Sequence, residues 1–183
     1  MFMLYALVAG IVIGVALGGH LEGVAALHLR WAPLLVGGLL AQLLLFSDPV
    51  TARVGDLGPA LYVGTTLLVF AAILRNRAIP GMPVVAVGAA SNLVAIVSNG
   101  GYMPASPGAL EVLHRGEATV YSNSVVVAQP ALPWLTDIFA LPRWLPGTNI
   151  YSIGDVLIGI GIAAVVVFAM RSRPRAGAGA PAH

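Results

Sequence analysis

The chain has 183 residues, of which 58% are hydrophobic and 9% charged, and its mean hydropathy is +0.92. Soluble domains carry about a quarter charged residues, so this inventory cannot furnish a water-facing surface around an apolar core. A net charge of +2, with arginines at segment ends, excludes a nucleic-acid-binding face, and zero cysteines exclude disulfides, thiolate metal sites and thiol nucleophiles.

The N-terminal stretch is apolar, with no basic region and no small-residue cleavage site ahead of a soluble domain, so it reads as a retained helix. A helix needs roughly 20 apolar residues to cross ~30 Å of hydrocarbon. Five stretches approach that length: 2–18, 31–46, 60–74, 79–98 and 153–170. The second and third are short and rely on flanking residues or little tilt. None alternates apolar and polar residues as a membrane barrel strand does. The expected fold class is therefore all-α: a polytopic membrane helix bundle of about five transmembrane helices. It forms a single transmembrane domain, 1–170, with a partly helical outer loop at 99–152 and a disordered cytoplasmic tail at 171–183.

Gly10, Gly14 and Gly18 make a small-residue stripe on the first helix. Such stripes serve packing within one chain and homo-oligomerisation alike. Arginine placement sets the orientation. Arg30, Arg75, Arg77, Arg171, Arg173 and Arg175 fall on one side of a five-span bundle, and Arg53, Arg115 and Arg143 on the other. The positive-inside rule then puts the C-terminus in the cytoplasm and the N-terminus outside, in a bacterial cytoplasmic (inner) membrane. The expected partners are membrane lipids and a membrane protein, not nucleic acid.

The long connection 99–152 is the one sizeable stretch outside the spans, and long connections often carry function. Asn99-Gly100-Gly101-Tyr102-Met103-Pro104 predicts a turn. Ser106-Pro107 predicts an N-cap and first position of a short helix reaching about Arg115, ended by Gly116. Beyond a polar patch, prolines at 130, 133, 142 and 146 space Trp134, Asp137, Arg143 and Trp144. Aromatic rings with a few charges suit the headgroup layer, which predicts an interfacial helix over 132–141 across the outer mouth. A simple lid over polar helix ends is the plainer reading of the same residues.

Few polar residues lie at depth. Asp155 stands about one turn inside the last span, where an ionisable group is a functional candidate. It is equally placed to share helix capping with Ser152. Asn92 and Gln42 read as hydrogen-bonding links between helices. Asn99 is expected to cap its helix or to line an outer polar mouth facing Asp155. The four histidines (His20, His28, His114, His183) are scattered without ligand spacing, and neither a phosphate-cradling loop nor a nucleophile elbow occurs. No metal and no cofactor is implied.

The glycine-striped first helix, Asn99-Gly-Gly-Tyr-Met-Pro104, the Leu-Pro segment with Asp137 and Tyr151-Ser-Ile-Gly-Asp155 together resemble a family of small bacterial integral membrane proteins of unknown function. That resemblance extends to about residue 170 and implies membrane location and about five helices, without an activity. More locally, Tyr151-Ser-Ile-Gly-Asp155-Val-Leu-Ile is similar to the last-helix motif of lipoprotein signal peptidase. The resemblance implies that Asp155 matches one of that family's two catalytic aspartates. Gly88-Ala-Ala-Ser-Asn92-Leu-Val-Ala95 is similar to the segment supplying the other, but Ala95 stands at the aspartate's position. An aspartic peptidase needs both carboxylates. Asp137 is a loop acid that would have to swing in to replace it, and the sequence does not position it.

The functional expectation is a non-enzymatic accessory, lipid-binding or partner-binding membrane component. Two alternatives stand beside it: a small transporter or channel subunit lined by Asp155, Asn99, Asn92 and Gln42, and a degenerate intramembrane aspartic peptidase-like protein.

Overall fold

A computed structural model of the chain describes residues 2–113 and 124–172. They are mostly helical: α1 (Phe2–Ala16), α2 (Leu21–Ala25), α3 (Ala32–Leu45), α4 (Asp48–Val54), α5 (Gly58–Arg75), α6 (Met82–Ser98), α7 (Pro107–Leu113) and α8 (Ile153–Arg171). Four two-residue strands, β1 (Met103–Pro104), β2 (Ser124–Val125), β3 (Phe139–Ala140) and β4 (Ile150–Tyr151), lie between α6 and α8. By length and composition, two helices suffice to cross a membrane: the run Pro49–Arg75 and α8. The apolar helices α1, α3 and α6 are shorter, at 15, 14 and 17 residues.

Proline marks several helix starts, since its fixed φ suits the first turn and its missing N–H has no partner there in any case. Pro33, Pro59 and Pro83 open α3, α5 and α6 in this way. Two short helices, α2 and α4, fall in connections that the apolar pattern does not mark.

Helix α8 is the central element, packed against α1 on one side and α6 on the other, while α3 reaches the bundle through α5. The glycines explain how. A Cβ on Gly10 would meet the backbone of Ala163, and one on Gly14 would meet Met170, so α1 runs parallel to α8 at close range. Two residues of the predicted stripe are therefore spent inside the chain, whereas a Cβ on Gly18 meets nothing within 4 Å. Gly88 abuts the backbone of Gly154 and Ile158, and Gly81 that of Gly161 and Val165, which makes α6 antiparallel to α8. The His20 amide closes the far end by donating to the Met170 carbonyl, 2.8 Å. One apolar cluster (Leu45, Tyr62, Ala95, Ile96, Met103) fills the end near β1, and a second (Ile73, Met82, Val85, Val165) the other end.

The segment between α6 and α8 forms a cap. Its short helix α7 starts as the sequence predicts, with the Ser106 hydroxyl accepting from the Ala109 amide at 3.1 Å. Its expected end near Arg115 and Gly116 lies outside the described residues, as do His114, Arg173, Arg175 and His183. The interfacial helix expected over 132–141 does not form. Leu132 takes the left-handed region (φ 52°), Pro133–Leu135 makes a single 3-10 turn, and Phe139–Ala140 pairs antiparallel with Ile150–Tyr151. Pro133 and Pro142 account for this. Each disfavours helical geometry at the preceding residue, so no helical run of useful length fits between them.

Candidate functional site

Helix α8 begins with a capping box. The Ser152 hydroxyl accepts from the Asp155 amide (3.0 Å), and Asp155 Oδ2 accepts from the Ser152 amide (3.0 Å). Two of the free donors at the helix start are thereby satisfied. Because Gly154 has no side chain, α6 lies close enough for Asn92 to reach this cap. A Cβ at Gly154 would collide with the Asn92 amide oxygen. Asn92 Nδ2 donates to Asp155 Oδ1 at 2.8 Å, and Asn92 Oδ1 accepts from the Ser152 hydroxyl at 2.7 Å. Asp155 thus accepts through both oxygens, and Ser152 is fully buried. Three polar side chains from two helices form one closed set of hydrogen bonds.

Asp155 and Asn92 also line a cavity of about 210 Å³, together with Tyr62 from α5, Met103 and Asp137 from the cap, and Asn149 just before β4. Asp137 is only 5% exposed. Its backbone is fixed on both sides: its amide donates to the Pro104 carbonyl (2.9 Å), and its carbonyl accepts from the Ser106 amide (2.9 Å). The loop acid that the sequence leaves unplaced therefore lines the same cavity as Asp155. Asn149 Oδ1 is buried and has no hydrogen-bond partner among the described residues. None of the described residues lining this cavity is basic. Among the described residues no group of three or more His, Asp or Glu side chains is arranged to hold a metal ion.

Phe2, which lines the cavity, belongs to an aromatic cluster. Tyr151 stacks on Phe2 (ring centroids 4.5 Å) and on Phe139 (5.4 Å), tying α1 to the cap. The Tyr5 hydroxyl adds a bond to the Pro146 carbonyl at 2.7 Å.

The remaining sequence candidates lie elsewhere. Asn99 does not line the cavity or face Asp155. Its Nδ2 turns back to the Ala95 carbonyl (2.8 Å) and holds the Ala131 carbonyl (3.0 Å), while its Oδ1 accepts from the Ala131 amide (2.8 Å). It is a clasp between α6 and the cap. Gln42 donates to the Thr66 hydroxyl at 3.1 Å, joining α3 to α5, and does not line the cavity either. Trp134 and Trp144 are exposed, at 62% and 80%. Arg143 donates to the carbonyls of Val112 and Glu111, which fastens α7. Sequence reasoning misses Tyr62 and Phe2, whose apolar surroundings give no local signal, and Asn149, which carries one only as part of the α8 approach.

These features define a class: an apolar helical bundle with two helices fit to span a membrane and a strand-and-turn cap over an acid-lined cavity. The pattern of the family of unknown function DUF5317 matches residues 26–167, and the chain belongs to that family. The match takes in the cavity residues from α5, α6, the cap and α8. No curated protein and no solved structure matches the chain.

Proposed function

We propose that the chain is a five-span protein of the bacterial cytoplasmic membrane, with its N-terminus outside. In this reading it binds, without chemistry, a small protonated amine or similar cationic group of a lipid or partner beneath its outer cap. The observation that carries the proposal is the convergence of Asp137 from the cap with Asp155 and Asn92 from the bundle on one small cavity. A volume of about 210 Å³ matches about seven water-sized groups, the scale of a headgroup substituent rather than a peptide. The five-span topology is supported by the parallel packing of α1 on α8, which an odd number of crossings requires. It is also supported by the gathering of Arg30, Arg75 and Arg77 at one end. Helices of 14 to 17 residues rise about 21 to 26 Å and reach the interfaces through flanking residues.

The test is thermal stability of the detergent-purified protein with ethanolamine against its neutral N-acetyl derivative. Ethanolamine is expected to raise the melting temperature, and Asp137→Asn to abolish the shift. An equal effect of both compounds, or a shift that survives Asp137→Asn, overturns the proposal.

A second reading rests on the same convergence. Asp137 lines the same cavity as Asp155, and in this reading it stands in from the cap for the carboxylate that Ala95 lacks, as a two-acid hydrolytic site of the signal-peptidase kind requires. Incubation with a lipoprotein precursor decides it. Cleavage lost in both Asp137→Asn and Asp155→Asn supports it, and cleavage absent from the wild type removes it.

A further inference from the structure

At the end of the bundle opposite the cap, Arg30, Arg75 and Arg77 line a single groove of about 430 Å³ with Trp31. We propose that this groove is a phosphate-anion site, taking the phosphate of a glycerophospholipid headgroup or a soluble phosphate. It is independent of the cavity under the cap.

The arginines come from two separate connections, and one buried residue brings them together. Asn76, 3% exposed, accepts from the Arg30 amide at 2.8 Å and donates to the Arg30 carbonyl at 2.7 Å. A further bond to the Ala72 carbonyl (2.8 Å) anchors it to the last turn of α5. The stretch before α3 is thereby pinned between Arg75 and Arg77. Trp31 follows in the left-handed region (φ 58°), which bulky residues seldom adopt, and its half-exposed ring lies in the groove.

Helix electrostatics explain only part of this arrangement. Arg75, in the last turn of α5, complements the helix dipole. Arg30 does the opposite: it lies two residues before α3, whose start is the positive end of its dipole, and it joins two other cations. No carboxylate lines the groove, and none of the three guanidinium groups has an acidic partner among the described residues. Guanidinium forks match phosphate oxygens in pairs, and basic recesses between helices at a membrane surface suit anionic headgroups. The volume equals about fourteen water-sized groups, more than one phosphate fills and enough for a headgroup with its substituent.

The experiment uses the full-length protein. It is reconstituted with phosphatidylglycerol or phosphatidylcholine, and retained lipid is counted by native mass spectrometry. Lipid-stripped protein is titrated in neutral detergent with inorganic phosphate. Preferential retention of phosphatidylglycerol is expected, reduced about fivefold by each of Arg30→Gln, Arg75→Gln and Arg77→Gln. Arg171→Gln, at the same end but outside the groove, is expected to leave retention unchanged. Thermal midpoints of the variants control for folding. Selective lipid retention without phosphate binding assigns the site to a headgroup, whereas saturable phosphate binding lost in the three variants assigns it to a soluble anion. Equal retention of both lipids with no phosphate binding, or an Arg171→Gln effect as large as the others, overturns the proposal.

Discussion

Two helix pairs in this bundle are built on opposite terms. Where α6 meets α8, Gly88, Gly154 and Gly161 let the backbones touch, and the polar residues Asn92, Ser152 and Asp155 are locked together in the space that remains. Where α3 meets α5, Gly38 packs against the Val69 side chain rather than backbone, a hydrogen bond from Gln42 to Thr66 crosses the contact, and much of α3 stays uncovered, Leu43 at 71% exposure among others. The first contact depends on particular atoms at particular places. The second is a leucine surface suited to lipid, with a polar link. The comparison teaches that glycine does more here than ease packing. It decides where polar side chains from distant parts of the chain are brought within reach, and so where a site arises.

Substitutions sharpen the contrast. Gly88→Val places its Cβ against the Gly154 carbonyl and the Ile158 amide, with backbone on both sides, and is expected to cost about 3 kcal/mol or more. In the same measurement Gly37→Ala in α3, which meets nothing within 4 Å, is expected to stay within about 1 kcal/mol of wild type, on the stabilising side. Unfolding in mixed micelles reads both, and similar losses would erase the distinction. Asn92→Ala deprives Asp155 of one donor and the Ser152 hydroxyl of its acceptor, so a loss of about 2 kcal/mol is expected by the same method. Ser152→Ala removes the hydroxyl half of the capping box and should cost about 1 kcal/mol. Gln42→Leu is the mildest, at about 0.6 kcal/mol. If it proves as damaging as Asn92→Ala, the α3–α5 contact is more specific than its geometry indicates.

What the sequence makes legible follows from range. The cap at α8 is readable because Ser152 and Asp155 are three residues apart, and the start of α7 because Ser106-Pro107 is a local signal. The glycine stripe reads as close packing, but only the structure names its partners as Ala163 and Met170. Of the two readings of Asn99, the helix cap is the one that forms: at the end of α6 its amide reaches back to the Ala95 carbonyl, which turns the side chain away from Asp155. The helix expected over 132–141 fails because hydropathy and aromatic content say nothing against it, while Pro133 and Pro142 do. Asp137 is illegible as a cavity residue for a different reason. Its position depends on the bridge between Ala105 and Asp137, and no local pattern encodes a pairing between positions 32 residues apart.

Cysteine labelling probes the whole arrangement at once, because the chain has no cysteine of its own. Single variants Trp144→Cys, Asp137→Cys and Arg171→Cys are treated in intact cells with a membrane-impermeant maleimide. Position 144 is expected to react rapidly, position 137 to stay protected until the protein is unfolded, and position 171 to react only after the membrane is opened. Equal rates at 137 and 144 would show that the cap does not enclose the acids. Labelling of 171 from outside would contradict the topology on which the cavity's exposure to the outer face depends.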